Sequence, residues 1–328
     1  MNNLLNNLYS KKIEKDYSIK LLLDLNALCN NYKKLKKIIG DTICATVLKA
    51  DAYGLGCDEI STSLYKCGCR HFFVSHNEEG IKLRKNIGDD SKIYVLNPNI
   101  SSGIDIFINN KLIPTLNYID QIKNWKKLCN ISGTNFPCII HVDTGMNRSG
   151  ISYYDFSNSL SYINELNIEI VMTHLFMDDV FNEITFNQIN RFMNVANYFP
   201  NSLKSLCSSN YVIKNKNELF MDMVRIGIGI YGVGDDSFQC VPSLWAKIYE
   251  IMEIKKGDCI GYEATYIAKN DMKIATILIG YADGVPIGLS NNGYVDISGY
   301  KAPIIGRISM DLMTVDITNI PEKICNVG

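Results

Sequence analysis

The chain has 328 residues, 47% of them hydrophobic and 20% charged, with a formal net charge of −1 at pH 7. This composition indicates a folded globular protein and excludes an intrinsically disordered chain. Nucleic acid is not expected as a partner because there is no basic excess, and a membrane is not expected because no apolar run is long enough to span a bilayer.

The cysteines and histidines predict neither a metal site nor a disulfide framework. The chain contains 11 cysteines and four histidines, and Cys67-Gly68-Cys69 is the only close cysteine pair. We therefore expect reduced, mostly buried cysteines and a cytoplasmic protein. Residues 1–17 are polar, lack the apolar centre of a signal peptide, and are interpreted as an N-terminal extension.

From residue 18 onward, apolar runs typical of buried strands alternate with segments of helical periodicity. The predicted strands are Ile19–Leu25, Ile43–Leu48, His71–Val74, Lys92–Leu96, Leu112–Leu116, Pro137–Val142, Ile168–Met172, Leu203–Leu206 and Met223–Ile228. The predicted helices are Asn26–Ile39, Asp58–Lys66, Asn77–Lys85, Ile119–Leu128 and Phe186–Tyr198. This alternation, without a Gly-x-Gly-x-x-Gly motif, favours a closed (β/α)8 barrel of the TIM type over residues 18–240.

The pattern changes at Val241. From there the apolar runs are short, are separated by Gly or Asn turns, and are accompanied by few helical patterns. The predicted strands are Ala246–Ile254, Ala264–Ala268, Lys273–Ile279, Gly293–Ile297, Ala302–Ile308 and Met313–Ile317. Residues 241–328 are therefore predicted to form a second, mainly β domain.

Lys49 is the first candidate catalytic residue, because it follows a buried strand directly and α/β barrels place catalytic groups at the carboxyl ends of strands. By position alone, a solvated lysine would be the commoner explanation. However, Lys49-x-x-x-Tyr53-Gly54-x-Gly56 resembles the cofactor-lysine motif of alanine racemases. Those enzymes are of fold type III and depend on pyridoxal phosphate.

Further segments resemble motifs of the same family, in the same order along the chain. They are Asp143–Gly150, Thr173-His174, Val224–Gly232, Gly261–Tyr266, Ile279–Gly284 and Gly306–Asp311. The resemblance implies that pyridoxal 5'-phosphate is bound by Lys49, Tyr53, His174, Ser209, Arg225, Gly227 and Ile228. It implies that an amino-acid substrate contacts Arg148, Tyr281, Met310 and Asp311.

The implied activity is the interconversion of L- and D-alanine, supplying D-alanine for peptidoglycan. Lys49 and Tyr262 would act as the two bases on opposite faces of the substrate, with Tyr262 coming from the partner subunit of a homodimer. Arg148 would favour ionisation of the Tyr262 phenol, and Arg225 would leave the pyridine nitrogen of the cofactor unprotonated.

Three features differ from the family pattern. His141 occupies the position of a lysine that is commonly carbamylated and helps to hold the arginine, so another group is expected to orient Arg148. Glu263 replaces a common glycine. Family members usually continue for several dozen residues beyond the position of Gly328, so the β domain is expected to lack its last part.

Three other functions stay open. A broader racemase acting on serine or lysine would keep the same core, with changes near Tyr281 and Met310. A fold-type III decarboxylase would share the architecture but lack the pairing of Tyr262 with an arginine. A non-catalytic pyridoxal-phosphate carrier protein would consist of the barrel alone, which the predicted β domain argues against.

Overall fold

The computed structural model describes residues 17–177, 182–214 and 217–328. The predicted extension therefore lies outside the described residues except for Tyr17. The chain divides into two compact units, Leu23–Pro242 and a second unit made of residues up to Leu22 together with Ser243–Gly328. The predicted domain limits of 18–240 and 241–328 stay an interpretation of the sequence.

The first unit contains a nearly closed barrel of parallel strands, as predicted. Strand β1 (Ile19–Leu23) does not join it but pairs with β11 (Pro242–Ala246) in a two-stranded sheet. The barrel strands are β2 (Ile43–Val47), β3 (His71–Val74), β4 (Lys92–Val95), β5 (Leu112–Leu116), β6 (Pro137–Asp143), β8 (Asn167–Met172), β9 (Leu203–Ser205) and β10 (Met223–Ile226). Successive barrel strands pair in parallel, β10 pairs with β2, and a single bridge from Ser208 to Arg225 connects the segment after β9 to β10. The short strand β7 (Ile151–Ser152) pairs with β6.

Helices alternate with the barrel strands. They are α1 (Leu25–Ile39), α2 (Cys57–Lys66), α3 (Asn77–Arg84), α4 (Asp105–Asn109), α5 (Ile119–Ser132), α6 (Phe156–Ile163), α7 (Glu183–Ala196) and α8 (Ser209–Ile213). The sequence predicted α1, α2, α3, α5 and α7 and missed the other three. Helix α1 begins where the Asp24 carboxylate accepts the amides of Asn26 and Ala27, and it buries a face with helical spacing that includes Leu28 and Leu35.

The strand side chains alternate between two cores. Phe72 and Val74 belong to the layer between strands and helices, whereas Phe73 points into the barrel interior together with Tyr94 and Ile139. All five side chains are fully buried, and each contributes about 1.5–3 kcal/mol through burial of apolar surface. The barrel is thus a packed core whose functional residues must lie at the strand ends.

The second unit is mainly β, as predicted. Its five antiparallel strands, in spatial order, are β12 (Ile248–Ile254), β15 (Met272–Ile277), β18 (Met313–Asp316), β17 (Tyr300–Ile305) and β16 (Tyr294–Ile297). Strands β13 (Cys259–Ile260) and β14 (Tyr266–Ile267) pair separately. Single turns of 3-10 helix at Tyr262–Ala264 and Tyr281–Asp283 interrupt the strands and position two of the predicted site residues.

One prediction about the cysteines is wrong. Cys29 of α1 and Cys67 at the end of α2 form a disulfide bond, with their Cα atoms 6.1 Å apart. Nine cysteines are free, and seven of these are buried, so burial was predicted correctly for most of them. The cytoplasmic location stays a prediction, without the argument that every cysteine is reduced. None of the helices within the described ranges has the length and apolarity needed to cross a membrane.

Candidate active site

Lys49 lies at the carboxyl end of β2, at the mouth of the barrel. The amide of Leu48 donates to the carbonyl of Phe73 at 2.7 Å, which continues the pairing of β2 with β3 up to the residue before Lys49. Lys49 is half-buried, and its amine makes no hydrogen bond or ion pair with any residue that the structure describes. A lysine in this position can act as a nucleophile or a base.

The backbone after Lys49 is strained. Ala50, Asp51, Ala52 and Tyr53 have φ values of 53°, 52°, 56° and 61°, so they form a left-handed turn that ends at Gly54. For L-residues other than glycine this conformation costs about 1–2 kcal/mol per residue. Such a turn persists only when its surroundings hold it, and strain of this kind is concentrated at functional sites.

A cradle of hydroxyl and amide groups lies at the end of β10. The Ser209 hydroxyl accepts the amides of Gly227 at 2.9 Å and Gly229 at 3.3 Å. A Cβ atom on Gly227 would overlap the Tyr53 hydroxyl, and one on Gly229 would lie 2.9 Å from the Ser209 Cβ. The two glycines therefore allow two amides and two hydroxyls to converge. Burial raises the pKa of Tyr53, which keeps its hydroxyl a hydrogen-bond donor, and donors of this kind suit a phosphate.

Arg225 of β10 is a buried cation without an acidic partner among the described residues. Its guanidinium donates to the Ser205 hydroxyl at 2.6 Å and to the Thr173 carbonyl at 2.7 Å. Burial lowers the pKa of Arg225 to about 10, so the group is still charged at neutral pH. A desolvated charge with only neutral acceptors is unfavourable until an electron-rich ligand atom approaches it.

Two neutral histidines lie near Arg225. His174 follows β8, and its Nδ1 accepts from the Arg225 guanidinium at 3.3 Å. His141 of β6 has its Nδ1 2.8 Å from the Asn117 Oδ1. Burial, reinforced by the charge of Arg225, lowers the pKa of each histidine to about 3. Neither imidazole therefore adds positive charge to the barrel mouth at neutral pH.

Asn117, which follows β5, fixes the protonation of His141. Its amide nitrogen donates to two backbone carbonyls, those of Leu96 at 2.9 Å and Thr115 at 3.1 Å. Its oxygen is therefore the acceptor, and Nδ1 of His141 bears the proton. The same oxygen accepts the Ser149 hydroxyl at 3.2 Å, which anchors the residue next to Arg148.

The loop that contains Arg148 is built around Asp143. The Asp143 carboxylate accepts the amides of Gly145 and Met146 at 2.8 Å and the amide of Arg148 at 3.0 Å. Burial by itself would raise the pKa of Asp143, but these amide hydrogen bonds outweigh it and lower the pKa. The Arg148 side chain is exposed and forms no ion pair within the described part of the chain. Asp143 and Asn117 thus hold the backbone of this loop, and the expectation that a group other than a carbamate orients the Arg148 side chain stays a prediction.

The site residues of the second unit surround one cavity. Tyr262, Tyr281, Met310 and Asp311 line a space of about 1030 Å³. The amides of Tyr281 and Ala282 donate to the carbonyls of Ser309 and Met310, which joins two of the motifs. Tyr262 is 69% exposed.

Glu263, next to Tyr262, has a φ of 61° and forms an ion pair with Arg307 at 2.7 Å. Glycine adopts such a φ without steric cost, which explains why a glycine is common there in the family pattern.

The structure groups the predicted residues within each unit. At the barrel mouth the Tyr53 hydroxyl lies next to Gly227 and the Ser209 hydroxyl accepts the Gly227 amide. The Arg225 guanidinium donates to His174. The exposed Ile228 begins the 3-10 turn after Gly227. Three residues that the sequence motifs did not indicate contact the site through hydrogen bonds: Glu79, Asn117 and Ser205. Only Asn117 had a signal, since it directly follows a strand.

The donor set fits pyridoxal phosphate. Lys49 would provide an amine for its aldehyde, the Ser209 and Tyr53 hydroxyls of the cradle would suit its phosphate, and Arg225 would suit its ring nitrogen. The absence of a side chain at Gly227 lets the Tyr53 hydroxyl lie against the backbone at the end of β10.

Comparisons with known proteins agree with this site. Residues 23–235 match the model of the alanine racemase N-terminal domain, and residues 241–327 match the model of its C-terminal domain. An alanine racemase of Rickettsia canadensis (strain McKiel) is 37% identical over 307 residues, covering 92% of this chain and 86% of that protein. One from Brucella abortus (strain 2308) is 33% identical over 331 residues, covering 94% and 83%. A crystal structure of alanine racemase from Bartonella henselae with covalently bound pyridoxal phosphate has a TM-score of 0.86 at 32% identity, covering 95% of this chain and 89% of that chain.

The fold combines a parallel barrel, which has a lysine at a strand end, with an antiparallel β unit. These features define the class of barrel enzymes that have a C-terminal β domain. Both family models match in the expected order and span most of the sequence. The chain belongs to the alanine racemase family. The resemblance inferred from the motifs is thereby confirmed.

Proposed function

We propose that the protein is a pyridoxal-phosphate-dependent alanine racemase that supplies D-alanine for peptidoglycan. The observation that supports this most directly is the barrel mouth, where a lysine amine with no partner among the described residues, a buried arginine and an amide–hydroxyl cradle occur together. Lys49 would hold the cofactor aldehyde, and Ser209, Tyr53 and the amides of Gly227 and Ile228 would hold its phosphate. The Bartonella henselae relative, with covalently bound pyridoxal phosphate, supports the same assignment.

The bound cofactor would supply an electron sink that makes the α-proton of an amino acid removable. Arg225 would donate a hydrogen bond to the ring nitrogen without giving up its proton, because its pKa of about 10 lies well above neutral pH. His174, which accepts from the Arg225 guanidinium, would keep that guanidinium in place.

Inversion requires proton transfer on both faces of the α-carbon. In the proposed reaction Lys49 Nζ removes or returns the proton on one face, and the hydroxyl of Tyr262 does so on the other. Arg148, Tyr281 and the backbone of Met310 and Asp311 would contact the substrate. Tyr262 would come from the partner subunit, so we propose a homodimer in which each site is shared between two chains.

The test is reconstitution with pyridoxal phosphate, followed by measurement of D-alanine formed from L-alanine. Lys49→Ala should abolish both racemisation and the absorbance of lysine-bound cofactor. Tyr262→Phe should keep that absorbance but lose racemisation. Tyr249→Phe, an exposed tyrosine of β12, serves as the matched control and should keep full activity.

The alternative functions give different results in the same assay. Equal or faster inversion of serine or lysine would indicate a broader racemase, and release of carbon dioxide would indicate a decarboxylase. Bound cofactor without inversion of any amino acid would indicate a carrier protein. Full racemisation by Tyr262→Phe would refute the two-base scheme.

A further inference from the structure

Glu79 of α3 forms hydrogen bonds with the backbone directly after Lys49. Its Oε1 accepts the amide of Ala50 at 2.7 Å, and its Oε2 accepts the amide of Ser75 at 2.6 Å. Ala50 is the first residue of the left-handed turn, and Ser75 directly follows β3. One carboxylate therefore joins the strained turn to the end of the neighbouring strand.

A second side chain of α3 contacts the same turn. Lys82, three residues after Glu79 and hence on the same helix face, lies 3.3 Å from the Asp51 carboxylate and 3.4 Å from that of Asp58. These charged side chains are at least half exposed, so their ion pairs contribute little. The short charge-assisted bonds of Glu79 are the stronger connection between α3 and the turn.

The strain in the turn makes this connection important for Lys49. Ala50 to Tyr53 contain no glycine, so an ordinary backbone conformation is favoured whenever the turn is released. Relaxation at Ala50 would rotate the peptide that is bonded to Lys49. The other backbone hydrogen bonds of the turn among the described residues lie within residues 48–57. They are donated by the amides of Ala52, Gly54, Leu55 and Gly56 to backbone carbonyls and by the Cys57 amide to the Asp51 carboxylate.

We propose that Glu79 is a positioning residue for Lys49: its carboxylate holds the left-handed turn closed and thereby fixes the lysine at the end of β2. This inference rests on the proposed function, because it concerns the same lysine. Neutral glutamine cannot replace the carboxylate, since it has one acceptor oxygen for two amides and would turn its NH2 group towards the other amide.

The first measurement is amide hydrogen exchange of residues 48–56 in the protein without cofactor, comparing wild type with Glu79→Gln. We expect faster exchange of this segment in the variant, because the Ala50 amide loses its acceptor. The second is racemisation by the reconstituted enzyme. We expect kcat to fall about 10-fold or more with a smaller change in KM, because misplacing a catalytic group by about 1 Å can cost on the order of 100-fold in rate.

Glu78→Gln is the matched control. The exposed Glu78 lies next to Glu79 in the first turn of α3, and its substitution removes the same charge, but Glu78 makes no hydrogen bond or ion pair with the described residues. It should leave exchange and kcat unchanged. Adding Ala50→Gly to Glu79→Gln should recover part of the lost kcat, because glycine adopts the left-handed conformation without steric cost.

The proposal is overturned if Glu79→Gln matches Glu78→Gln in exchange and kcat. It is also overturned if kcat falls while the exchange of residues 48–56 is unchanged, or if Ala50→Gly recovers none of the loss. Absence of racemisation in the wild type would instead refute the proposed function, and the exchange comparison would still test whether Glu79 holds the turn.

Discussion

The disulfide between Cys29 and Cys67 should stabilise the barrel measurably. It closes a loop with a sequence separation of 38 residues. In the chain-entropy model a cross-link of this length removes about 13 cal/mol/K from the unfolded chain, which corresponds to about 4 kcal/mol at 25 °C. Both cysteines are only half-buried, so replacing them by serine leaves no large apolar cavity. We therefore expect the double variant Cys29→Ser with Cys67→Ser to lose about 2–4 kcal/mol of unfolding free energy.

The barrel can be observed by itself through its single tryptophan. The chain has two tryptophans; Trp125 is fully buried in α5, whereas Trp245 lies in β11. In a Trp245→Phe background that keeps both cysteines, urea unfolding followed by fluorescence should show a lower midpoint after the disulfide bond is reduced. The double serine variant should show that lower midpoint with or without reductant. Cys240→Ser, which removes an exposed free thiol, should behave like the wild type.

Thiol titration in denaturant counts the free cysteines and so tests the disulfide bond independently. Nine cysteines are free and the chain contains 11, so reduction should raise the number of reactive thiols from nine to 11. Eleven reactive thiols before reduction would show that the bond does not form in the folded protein. An unchanged urea midpoint after verified reduction would refute the entropic estimate.

Two further predictions concern the barrel mouth and its histidines. Gly227→Ala should weaken cofactor binding. The loss of binding free energy should be smaller by at least about 1 kcal/mol in a Tyr53→Phe background, because the overlapping hydroxyl is then absent. Equal losses in the two backgrounds in a cofactor titration would contradict this. Burial lowers the folded-state pKa of His71 to about 4 and of His141 and His174 to about 3. In the unfolded chain these histidines take up a proton near pH 6.5. The unfolding free energy should therefore fall by up to about 1.4 kcal/mol per histidine for each pH unit below 6.5. Equal stability in urea at pH 7.5 and pH 5.0 would contradict the burial argument.

Strands were predictable because a buried parallel strand is a continuous apolar run bounded by polar residues. The predicted limits of β3 (His71–Val74) and β5 (Leu112–Leu116) agree with the structure at both ends. Helix α6 was missed because Phe156–Ile163 contains three serines and an asparagine, which are more typical of turns. The pairing of β1 with β11 was also not predictable, because an apolar run does not specify its partner strand.

The site was predictable where function coincides with a strand end. Lys49, His174 and Arg225 lie at or just beyond the carboxyl ends of β2, β8 and β10, as the barrel rule requires. The left-handed turn was not predictable, because residues 50–53 contain no glycine to indicate positive φ. Glu79 was missed for the same reason, since its role depends on the conformation of that turn.

The charges at the barrel mouth explain why a phosphate-bearing ligand suits this site. Arg225 is buried and has only neutral acceptors among the described residues, and the nearby His141 and His174 are neutral. The charge of Asp143 partly opposes the lowering of the His141 pKa, but the Asp143 oxygens already accept three backbone amides. The positive charge of Arg225 is therefore not compensated by the described residues around it. The proposed cofactor would bring negative charge and a ring acceptor to the site of this desolvated cation, and its binding free energy would add to the stability of the folded barrel.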